Sequence, residues 1–317
     1  MEKWQNKVSL VTGASQGLGK CIAHTLAKYE MIVVACDIRM NELEESLKNC
    51  KIKPGNAGFI DPVKCDISKV DDILKLFKYI EQKYKTLHAC VNNAGGGFLD
   101  YFLPIQDKEG NYDGKKEEKE KDRIYKGWKH ILEVNILGTS ICSKEAINLM
   151  AKSGVKDGLI VNVSSILGQS VHLTEMNKSV FYNHMYIATK HALTAITQCL
   201  RLEVQQHSYA KATRIVTIYP GIIKTEFTDN IQNEGSHFKN KFTIGFYLLS
   251  CNLILNQINV KSISVRNQGD FKQAFLRKLH LTPEDVYDAL LDAFKCNNSV
   301  QMDAITISPV RTPGKLF

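Results

Sequence analysis

A single doubly wound parallel sheet with helices on both faces is the fold that this 317-residue sequence predicts. Three observations predict it. Short apolar runs alternate with segments of helical periodicity along the chain. The runs are continuously apolar, as in strands covered on both sides, rather than alternating. The first run enters a glycine-rich turn that opens a helix, the usual start of a parallel α/β unit.

The elements follow in order. Residues 8–12 read as the first strand, and Gly13, Gly17 and Gly19 mark the turn. Residues 20–30 have helical spacing, with Ile22, Ala23, Leu26 and Ala27 on one side. A second strand spans 31–36, a helix 41–49, and a third strand ends at 63–65. Residues 70–84 form a strongly amphipathic helix through Ile73, Leu74, Leu76, Phe77 and Ile80. Strands at 88–91, 159–163 and 214–219 follow, with a helix at 130–144 and a long one at 188–206. Residues 300–307 read as a last strand. Right-handed crossovers between such units give a Rossmann-type sheet in one domain over 1–317.

Two stretches break the rhythm. Residues 107–129 are a mixed-charge run with almost no apolar face, expected as a solvated loop or short surface helix inserted in the fourth crossover. Residues 228–279 follow the last core turn and are expected to form an extended substrate lid.

Composition narrows the function. The chain is 44% hydrophobic and 23% charged, which excludes wholesale disorder. The net charge of +8 is spread along the chain, and no basic stretch interleaved with aromatics appears, so nucleic acid is not an expected partner. The nine cysteines are widely spaced, odd in number and free of any Cys-x-x-Cys pair. They read as reduced thiols rather than a disulfide frame or a metal site. The polar N-terminus does not look like a signal peptide, and the longest apolar stretch, 246–255, is about half a membrane span. A cytoplasmic protein without an integral membrane span is expected.

The cofactor end is read from the turn. Glycines let a backbone approach a pyrophosphate, whose charge rests on the helix N-terminus. Asp37 closes the second strand, where a carboxylate can accept both adenosine ribose hydroxyls and repel a 2′-phosphate. That favours NAD(H), while Arg39 two residues on leaves NADP(H) possible. Asp66, after the third strand, is placed for the adenine amino group, and Asn92-Asn93-Ala94-Gly95 ends the fourth strand at the ligand-binding edge.

The catalytic end is read from spacing. Tyr186 and Lys190 are four apart and share one helix face. An ammonium beside a phenol favours phenolate and is expected to lower the Tyr186 pKa, suiting it to general acid/base work on an alcohol or ketone oxygen. Ser165, at the end of the fifth strand, can hold that oxygen, and Asn135 is the sort of buried amide that orders a water relay.

Together these residues resemble the classical short-chain dehydrogenase/reductase family. The resemblance rests on Thr12-Gly13-x-x-x-Gly17-x-Gly19, Asp66, Asn92-Asn93-Ala94-Gly95, Asn135, Ser165, Tyr186-x-x-x-Lys190 and Pro220-Gly221-x-x-x-Thr225, in family order. Flanking text, including Gly127-Trp128-Lys129 and Leu281-Thr282-Pro283-Glu284-Asp285, is similar to farnesol dehydrogenase-like and hydroxysteroid dehydrogenase/reductase members. The resemblance implies a catalytic set of Asn135, Ser165, Tyr186 and Lys190. It implies cofactor contacts from Gly13, Ser15, Gln16, Gly17, Leu18 and Gly19 in the turn, then Asp37, Asp66 and Ile67. Asn93, Ala94 and Gly95 follow, with Tyr186 and Lys190, and last Pro220, Gly221, Ile223 and Thr225. A lipophilic alcohol or carbonyl is the implied substrate, of isoprenoid, steroid or similar type, and a homodimer or homotetramer the implied assembly. Two other readings stand beside it: a non-catalytic dinucleotide-binding interaction protein, and an NADP-dependent carbonyl reductase.

Overall fold

In a computed structural model of the chain, the described residues are 1–48, 58–97, 100, 102, 111, 113–171, 183–208, 210, 213–221, 223, 225, 281–296 and 300–308. Seven parallel strands form one sheet in the order β3-β2-β1-β4-β5-β6-β7. They are β1 (Val8–Thr12), β2 (Ile32–Asp37), β3 (Phe59–Lys64), β4 (Ala89–Asn92), β5 (Gly158–Val163), β6 (Thr213–Pro220) and β7 (Ala304–Ile307). The order reverses between β1 and β4, which opens a crevice at the carboxyl ends of those two strands.

The continuous apolar runs serve two cores, because successive side chains of a strand point to opposite faces. Val33 and Ala35 of β2 pack on one side with Ile22 and Leu26 of α1 (Gly17–Lys28) and Leu43 of α2 (Met40–Lys48). Val34 and Cys36 pack on the other with Ile73, Phe77 and Ile80 of α3 (Val70–Tyr84). β3 is an edge strand and carries Pro62, a residue that central strands exclude.

The fourth crossover departs from expectation. From Gly114 the charged run is neither loop nor short helix but α4 (Gly114–Leu132), 19 residues long. It continues through a π segment, Glu133–Gly138, into α5 (Thr139–Lys152). Its inner side is sparse but present: Ile124 and Ile131 are buried and Trp128 is half-buried. Residues 107–110 and the expected lid at 228–279 lie outside the described residues.

The long helix α6 (His184–Gln206) begins four residues earlier than its apolar periodicity shows, so Tyr186 falls in its first turn. A helix not foreseen, α7 (Pro283–Lys295), packs on α1. Its start is written in the sequence. Thr282 caps it, Asp285 returns the bond to the cap, and Pro283 opens the first turn. Phe294 of α7 stacks edge-on against Trp4 at 5.0 Å, and the Trp4 indole donates to the Phe294 carbonyl at 2.7 Å. Seven cysteines among the described residues are free, and Cys36, Cys65, Cys90 and Cys142 are buried. No described helix is long and apolar enough to cross a membrane.

Trp4→Ala removes both the ring contact and the buried indole bond, and is expected to cost about 3–5 kcal/mol in denaturant unfolding. A loss below about 1 kcal/mol would show that the N-terminal turn does not help to fix α7.

Candidate active site

The crevice is built by polar bonds between strand ends. The Thr12 hydroxyl accepts from the Asn93 and Ala94 amides at 3.1 and 3.0 Å. The Asn93 side-chain amide donates to the Thr12 and Gly13 carbonyls at 3.0 and 3.1 Å. Asn93, one of the implied cofactor contacts, therefore uses its side chain to shape the turn. Gly13 and Gly17 have positive φ (67° and 52°), which favours glycine. A Cβ on Gly19 would lie 2.1 Å from the Gly13 carbonyl and 2.4 Å from the Asn93 amide nitrogen.

This turn suits a dinucleotide. The Ser15 hydroxyl is buried and hydrogen-bonds the Asp37 carboxylate at the mouth of the turn. Gly17, Leu18 and Gly19 are the first residues of α1, whose amides carry the positive end of the helix dipole. Gln16 is the N-cap residue, but its side chain makes no cap bond; it accepts from Arg39 at 2.7 Å instead.

Asp37 sits buried at the end of β2. Its carboxylate accepts from the Ser15 amide at 3.1 Å, the Arg39 amide at 3.0 Å and the Arg39 guanidinium at 3.2 Å. Burial works to raise its pKa, but the bonds from Arg39 and Ser15 outweigh it and hold the carboxyl below its ordinary value. Asp66 accepts from the Ser68 amide and hydroxyl at 3.0 and 2.7 Å, and Lys69 lies 3.4 Å away. Partial burial raises its pKa, and these groups more than offset that, so it too stays ionised. Ile67 is buried, and its carbonyl abuts Gly138 of the π segment.

Across the crevice, Asn135 lies in the π segment and is 1% exposed. Single π turns often mark functional positions because they turn one residue inward. Its amide donates to the Gly96 carbonyl at 2.9 Å and the Thr189 hydroxyl at 3.0 Å, and its oxygen accepts from the Gly96 amide at 2.8 Å. A Cβ on Gly95 would lie 3.4 Å from the Asn135 oxygen and 3.6 Å from the Lys190 amine. Thus Asn135, Gly95 and Lys190 meet at one point.

Lys190 is 5% exposed, and its amine donates to the Val163 carbonyl at 3.0 Å. Burial lowers its pKa to about 8. The amine stands 5.5 Å from the centre of the Tyr186 ring. Ser165 follows β5, and its hydroxyl accepts from the Leu167 amide at 3.2 Å. It also makes a side-chain hydrogen bond with Tyr186. The expected acidification of Tyr186 is absent here. Burial pushes the phenol up to about 12, and only the Ser165 bond works the other way.

Pro220 ends β6, and the Gly221 amide donates to Ile307 of β7 at 2.7 Å. Ile223 forms a parallel bridge with Leu281, so the strand-end loop leads directly toward α7. Thr225 lies in a bend just beyond. Sequence reasoning left Ser143, Asn162 and Thr197 aside and gave Asn92 no role of its own. Asn92 and Asn162 are paired in register across β4 and β5. The Asn92 amide donates to the Ser143 hydroxyl and the Asn162 oxygen, and the Asn162 amide donates to Thr197. Two asparagines near the ends of neighbouring apolar strands were the readable signal.

Two outcomes follow from this geometry. Gly19→Ala is expected to weaken nicotinamide cofactor binding by about tenfold or more, measured by cofactor fluorescence; wild-type affinity would contradict the tight turn. For Lys190, the folded pKa of about 8 lies below the ordinary 10.5. Between these values the unfolded chain holds a proton that the folded one has released, so stability rises with pH. Relative to Lys190→Met, the wild type is expected to gain on the order of 3 kcal/mol across that window. Parallel stability curves for the two proteins would contradict the buried, desolvated amine.

Comparison with known proteins agrees with this architecture. The chain matches the short chain dehydrogenase family over residues 7–235. It is 34% identical to human dehydrogenase/reductase SDR family member 11 over 74% of this chain and 80% of that protein. It is 33% identical to farnesol dehydrogenase of Aedes aegypti over 75% of this chain and 85% of that protein. A short chain dehydrogenase/reductase from Burkholderia phymatum, solved with NAD, shares the fold with a TM-score of 0.65 at 18% identity, over 96% of this chain and 90% of that one. The chain belongs to the short chain dehydrogenase family and is an NAD(P)-dependent oxidoreductase acting on CH–OH groups.

Proposed function

We propose that the protein interconverts a lipophilic alcohol and its carbonyl, with NAD(H) as the preferred cofactor and Tyr186 as the general acid/base. The observation that carries this is the meeting of Tyr186, Ser165 and Lys190 where β5 and α6 end and begin. When bound, a nicotinamide supplies the hydride acceptor or donor. In the oxidative direction Tyr186, as phenolate, takes the hydroxyl proton. Ser165 steadies the substrate oxygen by a hydrogen bond. Lys190 brings positive charge to the phenol, and Asn135 orders the backbone at Gly96, beside which a water relay would carry the proton to solvent.

A phenol raised by burial needs added positive charge to ionise, so cofactor binding before substrate fits this site. Asp37, buried and held ionised, supports the NAD preference. One observation favours a second reading. The Arg39 guanidinium lies between Asp37 and Gln16, where it partly neutralises the carboxylate and faces the same end of β2. An NADP-dependent carbonyl reductase would use that cation for a 2′-phosphate. Comparing the two nicotinamides against Asp37→Ala and Arg39→Ala separates the readings.

The lipophilic substrate class is supported by likeness to a protein named farnesol dehydrogenase. The sequence also leads one to expect a mostly apolar pocket lined by 166–173, 181–182 and the lid after Thr225; of these, 172–173, 181–182 and the lid lie outside the described residues. The homodimer or homotetramer belongs to the same proposal. So does the cytoplasmic setting, which free thiols at seven described cysteines suit.

Tyr186→Phe is expected to lower turnover of an isoprenoid alcohol such as farnesol by about 10²–10⁴-fold while leaving NADH binding intact. A variant that folds, binds cofactor and turns over near the wild-type rate would refute the role given to Tyr186.

A further inference from the structure

Tyr186 stands in the first turn of α6, and that turn is not capped locally. The residue in the capping position, Asn183, makes no side-chain cap bond. Its side-chain oxygen is buried and has no hydrogen-bond partner among the described residues. First-turn amides have no partner within their own helix, so an uncapped start frays. Here the missing acceptor comes from far along the chain. Asp100 accepts from the His184 amide at 2.6 Å with one carboxylate oxygen and from the Met185 amide at 3.0 Å with the other. Its side of the bargain is burial: Asp100 is 0% exposed.

The second oxygen of Asp100 also accepts from the Trp128 indole at 2.7 Å. Trp128 lies on α4, seven residues before Asn135, and α4 runs unbroken into the π segment that carries that amide. Phe102 closes the arrangement, with its ring 5.0 Å from Trp128 and 5.3 Å from His184. A carboxylate at a helix N-terminus also meets the positive end of the helix dipole. One side chain therefore ties together the helix of Tyr186 and the helix of Asn135.

We propose that Asp100 is a positioning residue for the reaction: through Trp128 and the two first-turn amides it fixes the start of α6, and with it the aim of the Tyr186 hydroxyl. This inference rests on the reading of Tyr186 as the acid/base. Asp100 itself is not assigned any contact with cofactor or substrate. Small misplacement of a reacting group costs rate far more than it costs binding, so the loss belongs in turnover.

The test compares full-length wild type, Asp100→Ala, Asp100→Asn and Trp128→Phe by hydrogen–deuterium exchange, NADH fluorescence and turnover of farnesol with NAD. In Asp100→Ala, amides 184–190 are expected to exchange about tenfold faster or more, with α1 unchanged. Turnover is expected to fall by about 10–100-fold while NADH affinity holds. Asp100→Asn keeps the shape and one acceptor, so it restores part of both losses. Trp128→Phe keeps the helix bonds and shows the smaller defect. If Asp100→Ala does not fold, Asp100→Asn carries the same comparison. Wild-type exchange at 184–190, or faster exchange spread evenly over α1 and α6 with cofactor affinity lost, would overturn the proposal. So would unchanged turnover in both Asp100 variants. Absence of farnesol turnover in the wild type counts against the proposed substrate alone, and the exchange comparison still decides the role of Asp100.

Discussion

A buried amine without a countercharge is the constraint on which the catalytic edge depends. Among the described residues Lys190 makes no ion pair, and its recorded acceptor is the Val163 carbonyl. Placing a charge there is costly, which is why the amine sheds its proton more readily than an ordinary lysine. The backbone that carries it is held close. The Ser164 hydroxyl donates to the Lys190 carbonyl at 3.2 Å, and a Cβ on Gly168 would come within 2.6 Å of that same oxygen. Gly95 leaves the remaining side open beside Asn135.

Around that point the interior is unusually polar for a sheet edge, and its members are bonded to one another. Thr12 and Asn93 lock β1 to the turn after β4. Asn92, Asn162 and Thr197 run across β4 and β5 to α6. Asn135 joins the π segment to Gly96 and Thr189. Buried polar groups satisfied in this way fix geometry more firmly than apolar packing does, because each alternative arrangement leaves a donor unpaired. The family relationship and the local geometry thus point to the same strand ends.

Much of this was legible in the sequence. The strand–turn–helix at Gly13 and the Tyr186–Lys190 spacing depend on neighbours in the chain, and local pattern reports such features. Four things escaped. The charged run at 107–129 hid its helix because few apolar residues mark the inner side, and Ile124 and Trp128 alone do not make a stripe. Asp100 escaped because its partners are 28, 84 and 85 residues away, and no periodicity links them. The phenol of Tyr186 was expected to be acidic because one lysine stands a turn away. Burial, a property of the folded whole, raises its pKa instead, and only the Ser165 bond opposes that. The helix α7 was missed although its signal was local, in the capping pattern of Thr282, Pro283 and Asp285.

The central claim is that Tyr186 becomes a base only when positive charge joins Lys190 at the sheet edge. Ultraviolet difference titration of wild type against Tyr186→Phe, with and without oxidised NAD, measures this most directly. The account predicts no Tyr186 ionisation through the neutral and mildly alkaline range in the free protein. With NAD bound, it predicts a transition lower by about 2 units or more that Lys190→Met abolishes. A phenol that titrates at the same pH in both states would contradict it.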